Sequence, residues 1–164
     1  MEGLSNVRRS VNHEIYISEL TEPNFRNSEH VLMEGDYSGR HFAIIRHDLG
    51  FPDAYIEVKD DDWICRAEIN DDELRYDLYQ GSVHGGATYY GRCYWNEEDK
   101  RTYLGWDYGH YGDYEACSKA YKGDKKWSYA EILMDVAKVW ADLAWMNDDH
   151  WEELHALPVE RDGT

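Results

Sequence analysis

"SYAEILMDVAKVWADLAWMNDD", residues 128–149, is the stretch from which the fold is read. Ser128 is an N-cap candidate and Glu131 lies three residues on, the spacing of a capping box. Ile132, Leu133, Val136, Val139, Trp140, Leu143 and Ala144 then recur at helical spacing, while Asp135, Lys138 and Asp142 fall off that stripe. One long amphipathic helix follows, ending near Met146–Asp149, and its apolar face needs a partner. Upstream, "ATYYGRCYW" (87–95) and "RTYLGWDY" (101–108) are rich in β-forming residues and flank the polar "NEEDK" (96–100). They predict an antiparallel hairpin across 87–108. Val31–Met33 and His41–Arg46 bracket "GDYSG", a second hairpin or bulged turn, and Ala54–Val58 alternates as a strand after the Phe51-Pro52-Asp53 turn. "HEIYISEL" (13–20) reads as a strand or short helix. Leu74 and Leu78, four apart behind acidic residues, fit a short helix. The class is α+β: a mainly antiparallel, twisted sheet packed against one long C-terminal amphipathic helix. The expected organisation is a single domain over 1–164, with a loose arm at 1–12 and a frayed tail at 156–164.

Charge is the strongest global signal. The chain of 164 residues holds 34 Asp and Glu against 17 Lys and Arg, a net charge of −17. Such a chain repels nucleic acid and anionic membranes, so neither is an expected direct partner, and it suits a basic protein. The acids cluster. Asp60, Asp61 and Asp62 form one group and Asp71, Asp72 and Glu73 another, and further acids crowd 148–153. These two groups are the candidate partner-binding residues, a surface that mimics phosphate charge; the plain alternative is a solvated, solubilising face. Cys65, Cys93 and Cys117 are an odd number with no C-x-x-C spacing, which fits a reducing compartment. No signal-type or bilayer-length apolar run is present, so the expected location is the cytosol. The lysines at 119, 122, 125 and 126 read as a solvated loop.

"VHGGATYYG" (83–91) and "YLGWDYGHYGDY" (103–114) hold the residues suited to chemistry. With the hairpin loop centred between Glu98 and Asp99, position i faces about 197 − i. Tyr90 then faces Asp107, Ala87 faces His110, and His84 approaches Asp113. Four readings of His84, Asp107, His110 and Asp113 stand side by side. Two imidazoles and two carboxylates suit Zn, Mn or Fe, although the spacing is no standard ligand pattern. A His oriented by an Asp suits acid–base hydrolysis, although no nucleophile is marked by a motif. The "HGG" turn suits anion binding by backbone amides. Finally, glycine-bent loops use His and Asp to satisfy buried backbone. No cofactor is called for. His41 and His47 read as rim residues, and His150 and His155 lack ligand spacing. Trp127, Trp140, Trp145 and Trp151 read as core and rim.

The two stretches resemble a largely uncharacterised family of small proteins of phages, prophages and other mobile elements, with an HGGxTYxG … GWDxxHxGD signature. His84, Gly85, Gly86, Thr88, Tyr89 and Gly91 match its first part, and Gly105, Trp106, Asp107, His110, Gly112 and Asp113 its second. The resemblance covers about residues 80–147 and implies a context, not a reaction. Small acidic proteins of mobile elements often inhibit host defences. With the charge, this gives the leading expectation: a binding-type anti-CRISPR or other anti-defence protein that occupies a basic channel of a DNA-targeting nuclease. A hydrolase on the His/Asp cluster and a small-ligand sponge are the alternatives.

Overall fold

The computed structural model describes residues 3–9, 31–114 and 124–156. Six strands form one antiparallel sheet: β1 (Leu4–Arg9), β2 (Val31–Tyr37), β3 (Arg40–Arg46), β4 (Pro52–Val58), β5 (Tyr89–Arg92) and β6 (Thr102–Asp107), in the order β1-β2-β3-β4-β6-β5. Helix α1 (Trp63–Arg66) and a 3₁₀ helix (Asp72–Leu78) lie between β4 and β5. Helices α2 (Tyr129–Asp149) and α3 (Trp151–His155) follow the sheet. Among the described residues, no helix is long and apolar enough to cross a membrane.

The "GDYSG" segment closes the β2–β3 hairpin through Ser38 and Gly39, both left-handed at φ 43° and 89°. That geometry matches the twist of the flanking strands, and glycine adopts it without a Cβ penalty. The expected α+β architecture is the one observed. The capping box forms as its spacing predicts: Ser128 Oγ accepts from the Glu131 N–H at 3.3 Å, and Glu131 Oε1 accepts from the Ser128 N–H at 3.2 Å. The stripe of α2 (Ile132, Leu133, Val136, Val139, Leu143) is buried in one core with Phe42, Ile44, Ala54, Ile56, Leu104 and Trp106. Alternation along β3 and β4 sends Ala43, Ile45 and Tyr55 to the opposite face, where they join Tyr103. Trp95, Tyr89 and Cys93 cover that second cluster. A central strand covered on both sides needs a continuous apolar run, which is why β3 reads "FAII" rather than alternating.

Two expectations are corrected. Residues 4–9, read as part of a loose arm, are an edge strand paired from Leu4↔Tyr37 to Arg9↔Met33. Its register shifts between Ser5 and Arg8, around Asn6 at φ 52°, and this bulge erases the two-residue alternation that marks a strand in a sequence. Asn6 donates to Asp36, and Arg8 pairs with Glu34. The 87–108 hairpin exists, but Tyr89 faces Gly105 and Tyr90 faces Leu104, so positions sum to 194 rather than 197. The connection is longer than "NEEDK". The strands end at Arg92 and restart at Thr102, and Tyr94 and Trp95 lean onto Tyr55. An odd offset exchanges the two faces, so the assigned cross-strand partners do not hold. The 13–20 element, Cys117, Lys119, Lys122 and the tail beyond Ala156 lie outside the described residues.

Candidate functional site

His84, Asp107, His110 and Asp113 do gather, beyond the paired part of the hairpin. Asp113 is buried and is the centre of the group. Its Oδ2 accepts from His84 Nε2 at 2.6 Å and from the His110 backbone N–H at 3.1 Å, while Oδ1 accepts from Trp127 Nε1 at 2.9 Å. One carboxylate thus ties the 83–86 turn, the 109–113 loop and the lead-in to α2 together. The His84 ring stacks on Tyr108 and leans on Trp127. Asp107 Oδ1 accepts from the Gly109 N–H at 3.0 Å and Oδ2 from Thr88 Oγ1 at 3.2 Å. His110 Nε2 lies 3.2 Å from Asp107 Oδ1 but is not aligned for a hydrogen bond. His110 sits against Gly85, where a Cβ would lie 1.9 Å from Nε2; φ of +69° independently calls for glycine there.

The arrangement is two His–Asp pairs whose carboxylates also hold backbone and neighbouring side chains. Among the described residues, no group of three or more His, Cys, Asp or Glu is arranged to hold a metal ion. In the "HGG" turn the Gly86 N–H donates to the Val83 carbonyl at 2.8 Å, so that amide is not presented to an anion. His84 approaches Asp113 as the arithmetic suggested, although the register behind it is wrong, because both lie in loops outside the ladder.

The candidate acids divide. Asp60, Asp61, Asp71, Asp72 and Glu73 are exposed. Asp62 is not: it is 2% exposed and is removed from the partner-binding set. Its Oδ1 accepts from Arg40 Nη2 at 2.7 Å and Asn147 Nδ2 at 2.8 Å, and its Oδ2 from the Lys59 N–H at 2.7 Å. Burial pushes this carboxyl up, but Arg40, Asn147 and the Lys59 amide together outweigh that and hold it below the usual carboxylate range. In a D-D-D run all three residues look alike; only the turn after β4 decides which one faces Arg40. Asp71 caps the 3₁₀ helix by accepting from the Glu73 N–H at 3.0 Å, and Asp72 pairs with Arg75.

Asp61, just after β4, meets Asp148 near the end of α2, and Glu153 lies close by on α3. Trp63 makes the junction. Its N–H donates to Asn147 Oδ1 at 2.8 Å, its indole N–H to Glu153 at 2.7 Å, and its ring stacks on His150 at 3.7 Å. A cleft of about 210 Å³ there is lined by Asp61, Arg66, Asn147, Asp148, Trp151 and neighbours. Trp151 and Trp145, expected in core or rim, are both more than half exposed.

Sequence reasoning missed one group. On the sheet face away from α2, a cleft of about 720 Å³ is bordered by Arg46, His47, Asp53, Tyr94, Trp95 and the acidic 97–98 turn. Asp53 was read only as part of a turn. It is buried, its Oδ1 has no hydrogen-bond partner, and its carboxyl is pushed up to about 8 by burial and by the charges of Asp107 and Asp48, against a hydrogen bond with Tyr55. The available signal was Asp at an inward position of an otherwise apolar strand.

Compared with protein-family models, curated proteins and solved structures, the chain matches none.

Proposed function

We propose that this protein works by binding rather than turnover: its acidic, tryptophan-bearing end docks on the basic groove of a nucleic-acid-handling protein and blocks that groove. The observation that carries this reading is the meeting of Asp61 with Asp148 in one cleft beside the exposed Trp151, with Glu153 held close by on Trp63. Acids in the groove replace phosphates, and an exposed indole adds the amphipathic contact area typical of interface anchors. The resemblance to mobile-element proteins favours a DNA-targeting CRISPR nuclease as the partner, bound so that guide or target nucleic acid is displaced. The hydrolase alternative rests on His84, which Asp113 orients through Nε2 as an acid–base group requires, but no nucleophile is marked beside it.

The test is complex formation and DNA cleavage with a panel of effector nucleases, using the wild type and Asp60→Lys/Asp61→Lys. The expected result is a complex that inhibits cleavage. Reversing the two charges should weaken it by about tenfold or more and flatten its salt dependence. Absence of binding across the panel, or equal affinity of the variant at all salt concentrations, sinks the reading.

A further inference from the structure

The cleft beside Asp53 is independent of the acidic end. Asp53 lies near the start of β4, whereas Asp60 and Asp61 follow that strand's other end. The five steps from Asp53 to Val58 separate them by about 17 Å along the strand. Three features of the cleft combine. Tyr94 and Trp95 face each other edge to face at 5.2 Å, and Tyr55, whose hydroxyl bonds with that of Tyr94 at 2.7 Å, lies behind them. Negative groups surround the opening: Asp48, Glu97 and Glu98 border it, and Asp107 stands across the sheet from Asp53. At the bottom, Asp53 is 7% exposed and its Oδ1 accepts no hydrogen bond. A buried oxygen without a donor is costly unless a ligand supplies one.

We propose that this cleft binds an organic cation, an ammonium or guanidinium group, with the Asp53 carboxylate as counter-ion and the Tyr94 and Trp95 rings as walls. Aromatic faces attract such cations, and a nearby carboxylate supplies the hydrogen-bond acceptor. The groups facing Asp53 suit this ligand. Asp107 and Asp48 act on it with negative charge, and Tyr55 lends a hydrogen bond. His47 stacks on Phe51, and its Nδ1 accepts from the Leu49 N–H. Arg46, a buried guanidinium, also borders the cleft and is engaged within the fold; the acids Asp48, Asp53, Glu97 and Glu98 outnumber it there.

Binding has a distinctive signature. Without ligand, Asp53 holds its proton near neutral pH; a cation at Oδ1 favours the ionised form and drives the proton off. Affinity therefore rises by up to about tenfold per pH unit below the carboxyl's midpoint and levels above it.

The experiment is calorimetric titration of the full chain with butylguanidinium and butylammonium from pH 6 to 9, in buffers of different ionisation enthalpy. The expected result is saturable binding with close to one proton released per cation at the acid end of the range. Neutral butyramide should not bind. Asp53→Asn, close to isosteric, should abolish binding with an unchanged circular dichroism spectrum. Tyr94→Ala, at an exposed ring, should weaken binding several-fold, which keeps the test open should Asp53→Asn fold poorly. A capped Gly-Arg-Gly peptide distinguishes sources. Binding equal to that of butylguanidinium points to a protein side chain as the ligand, and binding of the free cations alone to a small amine or guanidine. No saturation in the millimolar range, no proton release, or undiminished binding by both variants overturns the proposal. The acidic-end reading survives any of these, because its test uses other residues and another ligand.

Discussion

Asp113 and Asp53 are both buried carboxyls, and their surroundings give them opposite roles. Asp113 accepts from His84, the His110 amide and Trp127, so its charge is distributed over three donors. Asp113→Ala leaves those donors unsatisfied, and chemical denaturation should show a loss of about 3 kcal/mol or more. A loss below about 1 kcal/mol would remove Asp113 from its place as the tie between the two loops. Asp53 instead carries an unmet acceptor beside two like charges. Its folded carboxyl titrates near 8 and its unfolded one near 4, so the folded state holds the extra proton between those values. Stability therefore falls as pH rises from about 4 to about 8 and is level beyond. Asp53→Asn removes this slope, and its unfolding free energy at pH 8 to 9 should exceed that of the wild type by at least ~2 kcal/mol. Parallel pH profiles for the two proteins would contradict the assignment.

At the scale of elements, the capping box holds the start of α2. Ser128→Ala should reduce stability by about 1 kcal/mol at pH 7, measured by urea unfolding. Lys125 first, with the Ser128 amide and hydroxyl adding to it, holds the Glu131 carboxyl below its usual range against burial, an opposing effect larger than that of either Ser128 group. That contribution is present above about pH 4 and is lost as pH falls through the folded value. The difference between wild type and Ser128→Ala should therefore narrow at pH 3. The polar side of α2 is not merely solvated. Tyr108 donates to Asp135 at 2.6 Å and receives from Trp106 Nε1 at 2.9 Å, which joins β6 to the helix through a buried chain. Tyr79 donates to Asp142 from beyond the 3₁₀ helix. Periodicity placed these two acids off the apolar stripe; it carries no information on which neighbour would reach them.

Across the whole molecule, residues 60–77 carry eight of the 34 acids and residues 148–153 four more. Asp61 and Asp148 border one cleft, held together by the Asp62–Arg40 pair, Asn147 and Trp63. Mutual repulsion there opposes folding and is screened by salt, since the Debye length shrinks to about 8 Å at 0.15 M. The midpoint of thermal unfolding should rise by several degrees between about 10 mM and 300 mM NaCl, and equally in choline chloride. A midpoint indifferent to salt would mean that the acids are too far apart to interact.

The sequence by itself determined the α+β class, the extent and cap of α2, the β2–β3 and β5–β6 hairpins and the excess of negative charge. Each is a local or summed property: period, capping spacing, turn residues, composition. Only the tertiary structure decided the rest. The bulge in β1 hid a strand from its own alternation, and an asymmetric connection moved the β5–β6 register by an odd step. Among three adjacent aspartates, the single one facing Arg40 became a buried tie while its neighbours stayed in solvent. His84 and Asp113 met because two loops close over Trp127, and Asp53 acquired its shifted titration because strand pairing set it beside Asp107 beneath a roof of tyrosine and tryptophan. Those outcomes depend on distance and dielectric between residues far apart in the chain, and neither is written in the residues singly.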